Sequence, residues 1–522
     1  MTYDAIVIGA GHNGLVAAAY LARAGHKVLV VERYHEVGGA AITEELTPGF
    51  RVSAASYSFS LFRPEIIDDL RLRDYGLAWY AKSPSYFMPF PDGRHLFLYA
   101  DSRERSKAAI AAFSPRDAEA YDEWENFWDR VCDVIEPTLM QPPLSLGELA
   151  DRFDAAGLAD DFRRVMLLST TDLLSEFFES ESIKAAMAPQ AIIGTAGGYS
   201  TPGTPFIWLV HAIGRAIGTR GVWGYVRGGM GAVTQAIAAA ARDLGTEIRT
   251  RAPVAEVLVE QGAARGVVLD SGETVRARVV LSNADPRRTF LKLTPASALP
   301  ADFRARIERQ YRSAGPVFKL NLALHELPRY TAAPAHVPPE VIGRATVDIA
   351  PSLAYMERAY DDFKAGQPSR EPFIEIFSQS PTDPTMAPPG KHILSCFCQW
   401  VPYAPAGRDW DDGLREEFAD RVLAKLAEYA PNMRDAVIAR QALSPVDLER
   451  RFGLTGGHIF HGELTPDQAY QLRPLSGYAD YRTPLANLYL CGSGAHPGGG
   501  VTGIPGHNAA HAVLADLGRV ER

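Results

Sequence analysis

The chain is poor in cysteine. Its 522 residues include only Cys132, Cys396, Cys398 and Cys491, and no two of them form a C-x-x-C pair. That excludes a disulfide scaffold and a dithiol redox motif, and the expected compartment is a reducing one. Long apolar runs are missing too. No stretch approaches the ~18 consecutive apolar residues that a membrane-spanning helix needs. Basic clusters are absent: 53 Lys and Arg stand against 62 Asp and Glu, a net charge of −9, which argues against nucleic acid as a partner. The thirteen histidines show no H-E-x-x-H or similar spacing, so no metal site is expected. There is no G-x-S-x-G nucleophile elbow. The first strand-like run begins at the fourth residue, leaving no room for a signal or transit peptide before it, so a cytoplasmic location is expected.

What is present starts with "YDAIVIGAGHNGLVAAAYLARAG". Ala5 to Ile8 is short and apolar enough for a strand buried on both faces. Gly9, Gly11 and Gly14 follow in G-x-G-x-x-G spacing, then a run rich in Ala and Leu that suits a helix. A second apolar run, Val28 to Val31, ends in Glu32. Strand, glycine turn, helix and strand with an acid about 20 residues on is the dinucleotide pattern. The glycines admit a pyrophosphate, the helix N-terminus offers it free N–H groups, and the acid takes a ribose hydroxyl. An acid at this point favours FAD or NAD over NADP.

At this length two or more domains are expected. Residues from about 101 to 190 have helical spacing, with Pro-rich breaks at "MQPPLS" and "STPGTP". From Gly228 a helix is followed by alternating strands through "EIRTRAPVAEVLVEQGAARGVVLDSGETVRARVVLSNAD". The last segment, "NLYLCGSGAHPGGGVTGIPGHNAAHAVLADL", is a strand, a glycine loop and a helix. The expected architecture is α/β: a discontinuous Rossmann-like FAD-binding domain with an inserted mixed α+β substrate domain. The nucleotide segments are 1–80, 221–300 and 455–522; the substrate segments are 81–220 and 301–454.

The strings "VVERYHEVGGAAITEE", "WGYVRGGMGAV", "VVLSNADP", "FGLTGGHIFHGE", "RPLSGYADYRTP" and "GSGAHPGGGVTGIPGHNAA" resemble FAD-dependent oxidoreductases of the phytoene desaturase-like group. Within that group the pyridine nucleotide-disulfide oxidoreductase domain-containing protein 2 subgroup is the nearest match, and the resemblance runs from Tyr3 to about Ala510. It implies noncovalent FAD. Gly9, Gly11 and Gly14 would hold the pyrophosphate, Glu32 the adenosine ribose, and Val254 the adenine. Arg33, Gly39 and Ala40 would lie beside the cofactor. Gly492, Ser493, Gly500, Val501 and Thr502 would follow its ribitol and ring. Two departures weaken the ribitol assignments. Ala40 and Ala41 stand where related amine oxidases have an arginine, and Ser493 and Gly494 stand where many relatives have an acid.

Lys319, in the apolar strand "PVFKLNLAL", is the leading catalytic candidate, because a buried ammonium is costly without partners. By resemblance it matches the lysine that flavin amine oxidases link through water to flavin N5. A lysine reaching solvent from an edge strand is the bland alternative. His458 and His461 are candidate proton donors; loop histidines bonded to backbone are the alternative there. "MLLSTTDLLSEFFES" is either core or the roof of a substrate tunnel, and it leaves peripheral membrane contact open. The expected activity is hydride removal from a largely apolar small molecule to form a double bond, with O2 or another electron acceptor. A flavin amine oxidase and a non-enzymatic lipid or prenyl escort protein on the same fold are the alternatives. Only the escort would lack flavin, so the colour of the protein separates it from the enzymes.

Overall fold

The computed structural model describes residues 2–520. Residues 1, 521 and 522, the outermost of the expected nucleotide segments, lie outside the described residues. Two seven-stranded sheets organise the chain. In the first, Thr2–Ile8 sits between Val28–Val31 and Thr274–Ser282 and runs parallel to both. Glu247–Arg249 extends the sheet beyond Val28–Val31, and Leu488–Leu490 pairs with Thr274–Ser282. Ala263–Leu269 and Val254–Glu260 complete it as an antiparallel meander. This one sheet therefore draws strands from the start, the middle and the end of the sequence.

Helices His12–Arg23, Gly231–Asp243 and Ile504–Val520 pack together beside it. The first and last of these helices approach so closely that a Cβ at Gly506 would collide with the Asn13 carbonyl oxygen. The apolar strands Ala5–Ile8 and Val28–Val31 are buried throughout, as their lack of alternation predicts.

The second sheet has the order Val437–Leu443, Val317–Leu324, His392–Gln399, Phe373–Phe377, Thr346–Ile349, Tyr86–Pro89, His95–Leu98. Val317–Leu324 lies inside it, and all eight of its residues are buried. Lys319 is thus not on an edge. Successive residues point to opposite faces. Phe318, Leu320 and Leu322 enter an apolar cluster with Leu394, Cys396, Cys398 and Phe418, while Lys319 and Asn321 face the other way.

Between the sheets in sequence comes a helical layer from Arg103–Ala111 to Pro205–Ala212. Its longest helix, Pro115–Ile135, is capped by Ser114 and starts with a proline, both helix-start signals. The helix buries Trp124, Phe127, Trp128 and Val131 on one face. Leu173, Leu174 and Phe178 are core, whereas Leu167 is 62% exposed. Among the described residues no helix is long and apolar enough to cross a membrane.

Gly506→Ala is expected to destabilise the protein by about 1–3 kcal/mol through overpacking. Gly518→Ala, in the same helix with nothing within 4 Å of an added Cβ, is expected to be neutral or slightly stabilising. Paired thermal unfolding curves check the contrast.

Candidate active site

One cavity of about 630 Å³ runs from the glycine turn into the helical layer and the second sheet. Gly9, Gly11, Glu32, Arg33, Gly39, Ala40, Val254, Ser493, Gly500 and Val501 line its nucleotide end. Gly14, Gly492 and Thr502 stand behind that lining. Gly14 packs on the Gly9 carbonyl and Asn283, and Gly492 packs on Asn283. Thr502 accepts a hydrogen bond from the Ile504 N–H at 3.1 Å, at the start of the last helix.

The cleft suits the dinucleotide that its sequence suggests. Gly9 has φ +94°, a conformation that glycine adopts freely. A Cβ at Gly11 would come within 2.9 Å of Asn283 Nδ2. Helix His12–Arg23 begins with no side-chain cap, so its first-turn N–H groups stay available to an anion. The Glu32 carboxylate accepts hydrogen bonds from the backbone N–H of Ala10 at 2.7 Å and of Tyr34 at 2.8 Å. It therefore ties the glycine turn to the end of the second strand, and its remaining lone pairs can accept from a ribose. Arg33, Arg288 and Arg451 add positive charge around the same end.

At the other end the lining is aromatic and apolar: Trp124, Trp128, Ile193, Trp208, Phe397 and Phe460. Trp128 and Trp208 stack with ring centroids 4.7 Å apart. Set into this wall is a buried group of charges. Lys319, 1% exposed, donates to Ser395 Oγ, and its ammonium sits 4.2 Å from the Tyr57 ring centroid. Burial pulls its pKa down to about 8, partly opposed by Cys396, Cys398 and Glu375. Lys82 donates to Ser58 Oγ at 3.1 Å and Thr346 Oγ1 at 3.0 Å. Burial lowers it to about 7 against the pull of Glu375 and Asp348. Glu375 accepts from Tyr57 at 3.0 Å and from Gln190 at 3.1 Å, and burial raises its pKa. Burial, helped by Glu375, holds Asp348 well above the usual carboxylate range. Burial thus moves both lysines and both acids toward their neutral forms, which suits proton transfer within the cavity.

The two histidine candidates separate. His461 lines the cavity, while His458 does not. His458 is fully buried behind it, with Nε2 3.3 Å from Glu463 and Nδ1 accepting from the Phe460 N–H.

The sequence reading missed Lys82, Asp348, Glu375 and Arg473. Asp348 in "ATVDIA" and Glu375 in "FIEIFS" carry the same signal that flagged Lys319, a charge inside an apolar strand. Lys82 sits in a short polar stretch that carries no such signal.

A strand–glycine–helix nucleotide cleft, open to an apolar cavity with a buried lysine, is the layout of a flavin-dependent oxidoreductase. The model of the flavin containing amine oxidoreductase family matches residues 14–513, and the chain belongs to that family. It is an FAD-dependent oxidoreductase. The chain is 43% identical to pyridine nucleotide-disulfide oxidoreductase domain-containing protein 2 of Rattus norvegicus, over 99% of this chain and 94% of that one. It is 28% identical to a lycopene-forming phytoene desaturase of a Paracoccus species, over 98% and 97%. The solved cyclohexylamine oxidase of Brevibacterium oxydans shares the fold, with TM-score 0.60, 18% identity, and 99% and 100% coverage.

Glu32→Ala is expected to weaken FAD binding by about 1–3 kcal/mol, since it removes a charged acceptor and loosens the glycine turn together. Titration with FAD, read by its fluorescence, checks this; unchanged affinity would place the ribose contact elsewhere.

Proposed function

We propose that the protein removes two hydrogens from a largely apolar small molecule and leaves a double bond. One hydrogen leaves carbon with its electron pair and the second leaves as a proton, so a C=C or C=N bond forms. Bound noncovalently in the glycine-lined cleft, FAD would supply the acceptor for the electron pair, with O2 or another oxidant as the final acceptor.

The observation that carries this reading is the continuous cavity, charged and glycine-lined at one end and walled by aromatic side chains at the other. The aromatic wall binds the apolar body and excludes water. Lys319 Nζ, which faces the cavity and has its pKa pulled to about 8, holds or releases the proton. Glu375 compensates its charge, and Tyr57 orients both through its ring and its hydroxyl. The sheet drawn from three chain segments is assigned as the FAD domain, and the second sheet with the helical layer as the substrate domain.

An amine oxidase is the second reading, favoured by Lys319. Anaerobic mixing with polyenes, other lipophilic compounds and amines tests both. Bleaching of the flavin absorbance by a lipophilic compound without nitrogen supports dehydrogenation of a C–C bond. Bleaching by amines alone, with peroxide release in air, supports the second reading and overturns the first.

Lys319→Met is expected to keep FAD bound and to slow one or both half-reactions. The unprotonated fraction of Lys319 grows as pH rises through about 8. The wild-type rate of flavin reduction should therefore rise between about pH 7 and 9, and the methionine variant should lose that inflection. Stopped-flow traces across pH check this.

A further inference from the structure

Two imidazoles line the cavity from different elements, and the proposed reaction gives a step to neither. His12 is the first residue of helix His12–Arg23, directly after Gly11. His461 comes from the 455–463 loop and has φ +61°, a left-handed conformation that is costly for a residue with a side chain. It is held there by Tyr311, whose hydroxyl donates to the His461 carbonyl at 2.7 Å. Both rings line the cavity. Neither ring hydrogen-bonds within the protein: His12 Nε2 and His461 Nδ1 are sealed off from the cavity, and His12 Nδ1 and His461 Nε2 are the nitrogens that meet it. Polar atoms left without a protein partner are rare and usually meet a ligand or water.

We propose that His12 and His461 together clasp the pyrophosphate of FAD and take up one proton when it binds. The proposal rests on the FAD reading of the cleft. Without the anion, burial keeps both imidazoles neutral, with pKa values of about 3. Each is further depressed by its neighbours: His461 acts on His12, and Arg473, His458 and Arg288 act on His461. The acids on this side are already engaged: Glu463 by His458, Thr195 and the Ala196 N–H, Glu32 by the Ala10 and Tyr34 N–H, and Asp285 by the Arg288 N–H and the Thr455 hydroxyl. Two phosphate charges beside the pair reverse the balance and favour one shared proton. A proton bound only in the complex makes affinity fall tenfold for each unit of pH, until pH exceeds the pKa of the complex.

The test is the dissociation constant of FAD from the full chain between pH 5 and 9, read from the fluorescence of released FAD. The expected result is a tenfold rise per pH unit over part of that range. His461→Asn, which tolerates the left-handed backbone, and His12→Gln should each weaken binding at pH 6 about tenfold and flatten the profile. His12→Lys, with a fixed charge, should keep tight binding at pH 6 and also flatten it. A flat wild-type profile overturns the proposal. So does a slope that survives both His12→Gln and His461→Asn, which would assign the proton to Lys82 or Lys319. Failure of the wild-type chain to bind FAD at any pH would instead overturn the FAD reading itself.

Discussion

The guanidinium of Arg473 is the keystone of the cofactor side of the molecule. It is 0% exposed, and among the described residues no carboxylate pairs with it directly, Glu463 acting on it only from further off. Instead it donates to the carbonyls of Phe460, Gly462, Glu463, Gln468 and Ser493. A buried cation with no directly paired carboxylate is tolerated only where oriented dipoles replace its water. Here five backbone carbonyls must all point at one planar group, so the loop from 460 to 468 and the glycine loop at 493 cannot move independently. Phe460 and His461 reach the cavity from the first of these loops, and Ser493, Gly500 and Val501 from the second. The shape of the cavity between them follows from one side chain.

The substrate side is stabilised on the opposite principle. Lys82, Lys319, Asp348 and Glu375 lie near one another, two of each sign, in a wall that is otherwise aromatic and apolar. Mutual compensation limits the cost of burial, yet burial still shifts each group toward its neutral form. Hydroxyl and amide groups of Ser58, Thr346, Ser395, Tyr57 and Gln190 supply the hydrogen bonds of Lys82, Lys319 and Glu375.

Much of this was legible in the sequence because it depends on local chemistry. The first βα unit announced itself by glycine spacing, an Ala-rich helix and a terminal acid, each a property of adjacent residues. Lys319 was visible as a charge where a strand has no room for one. Arg473 was not, because its partners are carbonyls, which every residue carries, and only the folded loop aims them. Lys82 was hidden for a similar reason: its partners Ser58 and Thr346 lie far away in the chain. Gly14 and Gly492 show the converse case. Gly14 by its spacing and Gly492 by resemblance are expected at the cofactor, while the structure uses both for close packing just behind the cleft surface.

The sheet assembled from three chain segments also has a consequence for biosynthesis. Thr2–Ile8 leaves the ribosome long before its partner Thr274–Ser282, and Leu488–Leu490 follows later still. At roughly 5–20 residues per second, the nascent chain carries a bare apolar strand for tens of seconds before the sheet can close. Until Glu247–Arg249 emerges, Ala5–Ile8 and Val28–Val31 can pair only with each other within this sheet, with edges exposed to neighbouring chains. The arrangement that makes one continuous cofactor cleft thus makes the newborn protein dependent on protection until its last helix has emerged.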